Sequence, residues 1–134
     1  MLRGLRWEQF LVLEYDAEED AAPLPYAQAA RDPDNWYVEL VSGNYLPASA
    51  WPLDEVLLRR QGWSPPDRET ANWWAACPRE SAVARALVAG LRDGRSCADS
   101  HRYCWSVGTF PDGPRGGEPV PVPPSRFEHH LLAA

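Results

Sequence analysis

The side chains best equipped for chemistry in this 134-residue chain gather in "CADSHRYC", where Cys97, His101 and Cys104 follow a Cys-x3-His-x2-Cys spacing. Thiolate and imidazole are natural zinc ligands, and a structural site takes four, so Cys77, His129 or His130 would have to complete the set. The spacing matches no paired knuckle such as Cys-x2-Cys, and an odd count of three cysteines suits reduced thiols. A nucleophilic arrangement can also be drawn from Cys77, Ser81, Asp99 and His101. No nucleophile elbow, phosphate-cradling glycine loop or His-Glu helix motif accompanies it, so nothing in the sequence sets those groups side by side. The expectation is a protein with no catalytic residue, no metal and no cofactor. A small zinc-binding structural or regulatory protein using Cys97, His101 and Cys104 is the alternative.

Composition narrows the class further. A formal charge of −6, with arginines scattered and only Arg59-Arg60 adjacent, lacks the basic patch that phosphate neutralisation needs, so no nucleic acid is expected as a partner. No apolar run approaches the roughly 20 residues of a membrane span, so no membrane is expected either. Charges interrupt "MLRGLRWEQF", which lacks the apolar stretch of a signal peptide, and a cytoplasmic location is the default. Lysine is absent and every base is arginine, which reads as codon bias rather than physics. The seven tryptophans are the chemical surplus of this chain.

The elements that must position those residues are legible from periodicity. "EQFLVLEY" (8–15) is apolar on both faces and suits a strand covered on two sides. "DAEEDAAPLP" (16–25) is an acidic loop, "YAQAA" (26–30) a weaker strand, "RDPDN" a turn, and "WYVELV" (36–41) an alternating strand with Trp36, Val38 and Leu40 on one side. Three such strands joined by short connections predict an antiparallel meander. Pro52 at a first helical turn, with Asp54 and Glu55 beside it, then Leu53, Val56 and Leu57 at helical spacing and Arg59-Arg60 in the last turn, predict a helix. Gly62 suits the left-handed position after its end, Trp63 the next residue that folds back on Leu58, and Pro65-Pro66 forbid continuation. "NWWAAC" (72–77) then starts a strand, with Trp73 and Trp74 on opposite faces. Pro78 and Glu80 open a second helix with a stripe of Val83, Ala84, Leu87, Val88 and Leu91. Gly90 inside it costs roughly 1 kcal/mol against alanine and so implies close packing, and Gly94 is the stop. "HRYCWSVGTF" (101–110) adds a last strand with Tyr103, Trp105 and Val107 on one face. From Pro111, "PDGPRGGEPVPVPP" is low-complexity and cannot build a core. The fold class expected is α+β, a four- to five-stranded antiparallel sheet with two helices packed on it, over residues 1–110, followed by a Pro-rich, disordered tail over 111–134.

At "LLRRQGWSPPDRETANWW", followed by an amphipathic helix, the chain resembles the YbjN-like, type III secretion chaperone-like peptide-binding domains of bacteria. Their helix ending in Leu-Gly-Trp, then a proline, a spacer and Asn-Trp, corresponds here to Gly62, Trp63, Pro65 or Pro66, Asn72 and Trp73. The strand "NWYVELVSGNYL" is similar to the family's strand before that helix. Two departures stand out: Gln61 precedes Gly62 where the family tends to be apolar, and only "MLRGLRW" precedes the first strand where such domains usually carry a helix. The resemblance implies a non-enzymatic module, commonly a homodimer, that holds a client protein or peptide in extended form against apolar patches.

Aromatic side chains anchor interfaces at low rotamer cost, and they dominate cores for the same reason. Most of the tryptophans are therefore expected inside. Trp51, in a loop between Ala50 and Pro52, is expected to be the most exposed. The residues expected to meet a client are Trp36, Val38, Leu40, Trp51, Trp73 and Trp74.

Overall fold

The computed structural model describes residues 9–16, 24–31 and 35–109. Most of the acidic loop, the centre of the "RDPDN" turn, the proline-rich segment from Pro111, Trp7, His129 and His130 lie outside them. Five strands form one antiparallel sheet: β1 (Gln9–Tyr15), β2 (Tyr26–Arg31), β3 (Trp36–Leu40), β4 (Trp73–Cys77) and β5 (Tyr103–Thr109), in the order β4-β3-β2-β1-β5. The first three strands are the expected meander, with Phe10 opposite Ala30 and Ala29 opposite Val38. β4 and β5 are the two edges, so the chain between them must cross the whole sheet. That crossing carries α2 (Glu80–Ala89), which continues as a π turn over Gly90–Gly94. A shorter helix, α1 (Glu55–Arg60), links β3 to β4.

β1 is buried on both faces, as its two-sided apolar pattern requires. Leu11, Leu13 and Tyr15 join the cluster beneath the helices with Ala27, Ala29, Val38, Leu40, Leu58, Trp63, Trp73, Val83, Leu87 and Leu91. Phe10 and Val12 face the other way, with Tyr26, Ala30, Val41 and Leu46.

α1 starts later than the proline suggests. Asp54 is the N-cap, its side chain accepting the Leu57 N–H at 3.0 Å, so Pro52 and Leu53 precede the helix. A carboxylate cap satisfies an otherwise orphaned N–H, which Pro52 cannot do. The buried face also differs from the expected stripe: Leu58 is fully buried while Val56 is 63% exposed. The C-terminus decides that orientation. Trp63 N–H donates to Leu58 O at 3.0 Å and Gly62 N–H to Arg59 O at 3.1 Å, the two bonds of a Schellman stop, with Gly62 at φ = +94°. Leu58 and Trp63 thus turn inward together.

α2 begins at Glu80, after Pro78, with Val83 and Leu87 buried and Ala84 exposed. The two glycines of the π turn receive α1 and the indole that seals its end. A Cβ on Gly90 would stand 2.9 Å from Trp63 Cζ2, and one on Gly94 would stand 2.6 Å from Leu58 Cδ2. The Asp54 N–H donating to Gly94 O at 2.8 Å and the Gln61 amide donating to Asp93 at 3.0 Å tie both ends of α1 to the π turn.

Nothing lies within 4 Å of a Cβ added at Gly62, so Gly62→Ala acts through backbone strain alone. It is expected to lower stability by about 1–2 kcal/mol in urea unfolding, with Gly62→Asn costing less. An unchanged midpoint for Gly62→Ala would show that the helix stop does not need left-handed backbone.

Candidate functional site

Asn72, half of the Asn-Trp element, is wholly buried. Its Oδ1 accepts the Ser42 N–H at 3.1 Å, and its Nδ2 donates to Glu39 Oε1 at 3.2 Å and to the Tyr26 hydroxyl at 3.3 Å. The Ser42 hydroxyl donates to Ala71 O, and the Asn44 amide donates to the same carbonyl at 3.2 Å. One amide therefore joins the entry of β4 to β2, β3 and the segment leaving β3. An amide that donates and accepts at once is what this junction needs, and no apolar residue could replace it.

A second polar hub has no signature in the sequence. Arg95, one residue past the π turn, is fully buried and spends its N–H groups on main-chain carbonyls. Nε donates to Val41 O at 3.1 Å, Nη2 to Val41 O at 2.9 Å and Leu46 O at 2.8 Å, and Nη1 to Trp51 O at 3.0 Å and Pro52 O at 3.4 Å. Burial pulls the guanidinium down to about 10, still well above neutrality, so it is charged at pH 7. The fork of donors holds the whole 41–52 connection against the sheet. Trp51 closes the loop from the other side, its indole N–H donating to Arg95 O at 2.7 Å and its ring edge-on to Tyr15 at 5.9 Å.

These hubs decide where the expected client residues stand. Val38, Leu40 and Trp73 lie in the helix-covered core, and Trp36 is buried beside them. Guanidinium groups cap two of the indoles, Arg31 over Trp36 at 5.8 Å and Arg59 over Trp73 at 5.7 Å. Trp51 is half-buried and packs against both clusters, so its loop position does not make it the most exposed indole. Trp105 is, at 37%. Trp74 is half-buried on the face away from the helices, where Glu39 stands opposite it and Tyr37 opposite exposed Ala76. Trp73 and Trp74 thus divide between faces as alternation requires.

The chemistry-bearing residues are not assembled. Cys97 is buried on the helix side of the sheet, while Cys104 is exposed and paired with Glu14 on the opposite face. Among the described residues, no three His, Cys, Asp or Glu side chains come together to hold a metal ion. Cys77 ends the β4 edge and His101 precedes the β5 edge, four strand spacings apart, roughly 19 Å. Burial raises the Cys77 thiol, against the direction a nucleophile needs.

Burial also pushes the Cys97 thiol from its ordinary 9.0 up to about 12 and the Tyr103 hydroxyl from 10.0 up to about 12. The unfolded chain then loses these protons before the folded one. Their contribution is full below about pH 9 and is lost as pH rises toward 12, whereas Arg95, depressed to about 10, works oppositely only above that pH. Stability is expected to fall between pH 8 and pH 10, by about 1.4 kcal/mol for a group one unit past its ordinary value, and to fall less in Cys97→Ala. A midpoint equal at both pH values in urea melts would contradict this.

Comparison with known proteins bears on the same elements. No curated protein and no solved structure matches the chain. A family model described as "T3SS (YopN, CesT) and YbjN peptide-binding chaperone 3" matches residues 1–100, spanning both the Gly62-Trp63 stop and the Asn72-Trp73 junction. Among the described residues, no helix is long and apolar enough to cross a membrane. The motif that carried the resemblance is thus the scaffold's own joinery, and the chain belongs to the TY-Chap3 family of peptide-binding chaperones.

Proposed function

We propose that this chain is a non-enzymatic chaperone of the bacterial cytoplasm that holds an extended client segment against the aromatic-bearing surface of its sheet. Family membership over residues 1–100 is the observation that carries the reading. One feature of the sheet supports the reading. Trp74 stands half-buried on the helix-free face, between Glu39 on one side and the Ser64 bridge on the other. An indole there offers large contact area at low rotamer cost. Trp36, Val38, Leu40 and Trp73 form the packed layer that keeps this strand in place, and Trp51 fixes the adjoining loop. The folded unit is taken to run to residue 110 with the proline-rich tail outside it, and the functional form to be a homodimer. The zinc-binding alternative is not favoured, because Cys97 and Cys104 sit on opposite faces.

Fluorescence anisotropy with a set of labelled, extended peptides rich in apolar residues tests this. Wild type is expected to bind a subset. Trp74→Ala is expected to weaken binding at least tenfold with far-UV circular dichroism unchanged, and Trp51→Ala to unfold at lower urea, by about 3 kcal/mol. Equal affinity in Trp74→Ala would remove that residue from the site. No binding by wild type to any peptide would remove the function.

A further inference from the structure

The two edges of the sheet are finished differently. At β4, Ser64 exchanges main-chain bonds with Trp74, at 2.8 and 3.0 Å, and Pro65-Pro66 follow at once. That is how natural edges are blunted. At β5, among the described residues, no strand pairs outside it. Its sequence, YCWSVGT, has no charge and no proline.

The direction of the β5 peptide groups is given by one bond. Asp16 N–H donates to Arg102 O at 2.8 Å, in the register that pairs Tyr15 with Tyr103. Residues 102, 104, 106 and 108 therefore bond to β1, and Tyr103, Trp105 and Val107 turn their N–H and C=O groups outward. Side chains on those three residues also share the helix-side face. α2 packs on β2, β3 and β4, and β5 projects past it, leaving Trp105 37% and Val107 50% exposed. Gly108 holds the strand close to β1, because a Cβ there would enter the Phe10 ring.

We propose that this edge pairs antiparallel with the β5 edge of a second copy, about a two-fold axis at Trp105. In that register Trp105 faces the partner's Trp105, and Val107 faces the partner's Tyr103. All outward donors and acceptors of the three residues are met reciprocally, as an isologous contact demands. On the other face Cys104 stands opposite the partner's Ser106, two small side chains. No charge on either strand opposes a like charge. A single added peptide would satisfy the edge but leave the Trp105 overhang beside the helix layer uncovered. A second copy brings an equal overhang, and each covers the other. The pairing rests on the homodimer reading above, but Trp74 lies at the opposite edge of the sheet, so this pairing and the peptide-binding reading fail separately.

The register makes the test specific. Cys104 and the partner's residue 106 form a pair without mutual hydrogen bonds, with Cα atoms about 4.5 Å apart, within reach of a disulfide. Cys104 and the partner's Cys104 are only diagonal neighbours. Full-length Ser106→Cys, oxidised with diamide, is expected to give a reducible species of twice the 15.0 kDa chain mass. Wild type and Cys104→Ser/Ser106→Cys are expected to give at least tenfold less. In sedimentation, wild type is expected to be a dimer. Val107→Pro, which removes an outward N–H and spares the β1 ladder, and Trp105→Arg, which sets like charges across the axis, are expected to be monomers with unchanged circular dichroism. A wild-type monomer, a dimer that survives both substitutions, or Ser106→Cys linking no better than its controls would overturn the pairing. So would a monomer whose Cys104 is shielded from a thiol reagent by a bound peptide, which would assign the edge to the client.

Discussion

The contact on which the rest of this fold depends is the edge of one indole lying in a notch made by a glycine. Trp63 approaches Gly90 so closely that a methyl group there would stand 2.9 Å from Cζ2. Two local rules bring it there. Gly62 takes a φ of +94°, and the chain bends back far enough for the Trp63 N–H to reach Leu58 O. Leu58 then fits over Gly94 as Trp63 fits over Gly90, one helical turn apart. A six-residue helix has little stability of its own. α1 persists because both of its ends and its buried side chain are fastened to the π turn.

The position of that turn fixes where the second hub lies. Arg95 comes immediately after Gly94 and is delivered, fully buried, beneath the 41–52 connection, where it meets four carbonyl oxygens. A guanidinium taken from water without a carboxylate is costly unless its donors are satisfied, and here main-chain oxygens satisfy them. The same connection is held from the β4 side by Asn72. Arginine fork and asparagine junction therefore converge on one segment, which would otherwise be a loop of twelve residues, while the helix stop seats on the π turn that delivers the arginine. The family motif Gly-Trp…Asn-Trp marks two of these three fastenings, and so it reports architecture. The surfaces proposed for partners, Trp74 and the β5 edge, lie beside the motif.

Much of this is legible in the amino-acid sequence because it obeys local rules. Strand alternation places β1, β3 and β4 and sends Trp73 and Trp74 to opposite faces. The order Leu58, Gly62, Trp63 specifies the helix stop, and Gly90 within an apolar stripe announces close packing. The features that escape depend on tertiary context. Pro52 and Asp54 both suit a helix start, and only the Asp54 cap bond to Leu57 decides between them. Val56 and Leu58 both fit an apolar spacing, but the Schellman geometry turns Leu58 inward. Arg95 looks in sequence like a solvated base after a helix end. Its burial is set by where the π turn sits, and no local pattern encodes that. Trp51 reads as exposed because its neighbours are loop-forming, whereas its N–H is engaged by Arg95 O.

A double-mutant cycle between Trp63 and Gly90 tests the central contact most directly. In the wild-type background Gly90→Ala should cost about 1–3 kcal/mol of unfolding free energy, despite alanine's better helix propensity. In a Trp63→Ala background the same substitution should be neutral or stabilising, a coupling of at least about 1 kcal/mol. An equal cost in both backgrounds would mean that the indole does not seat in the glycine notch, and the placement of the helix layer derived from it would fall.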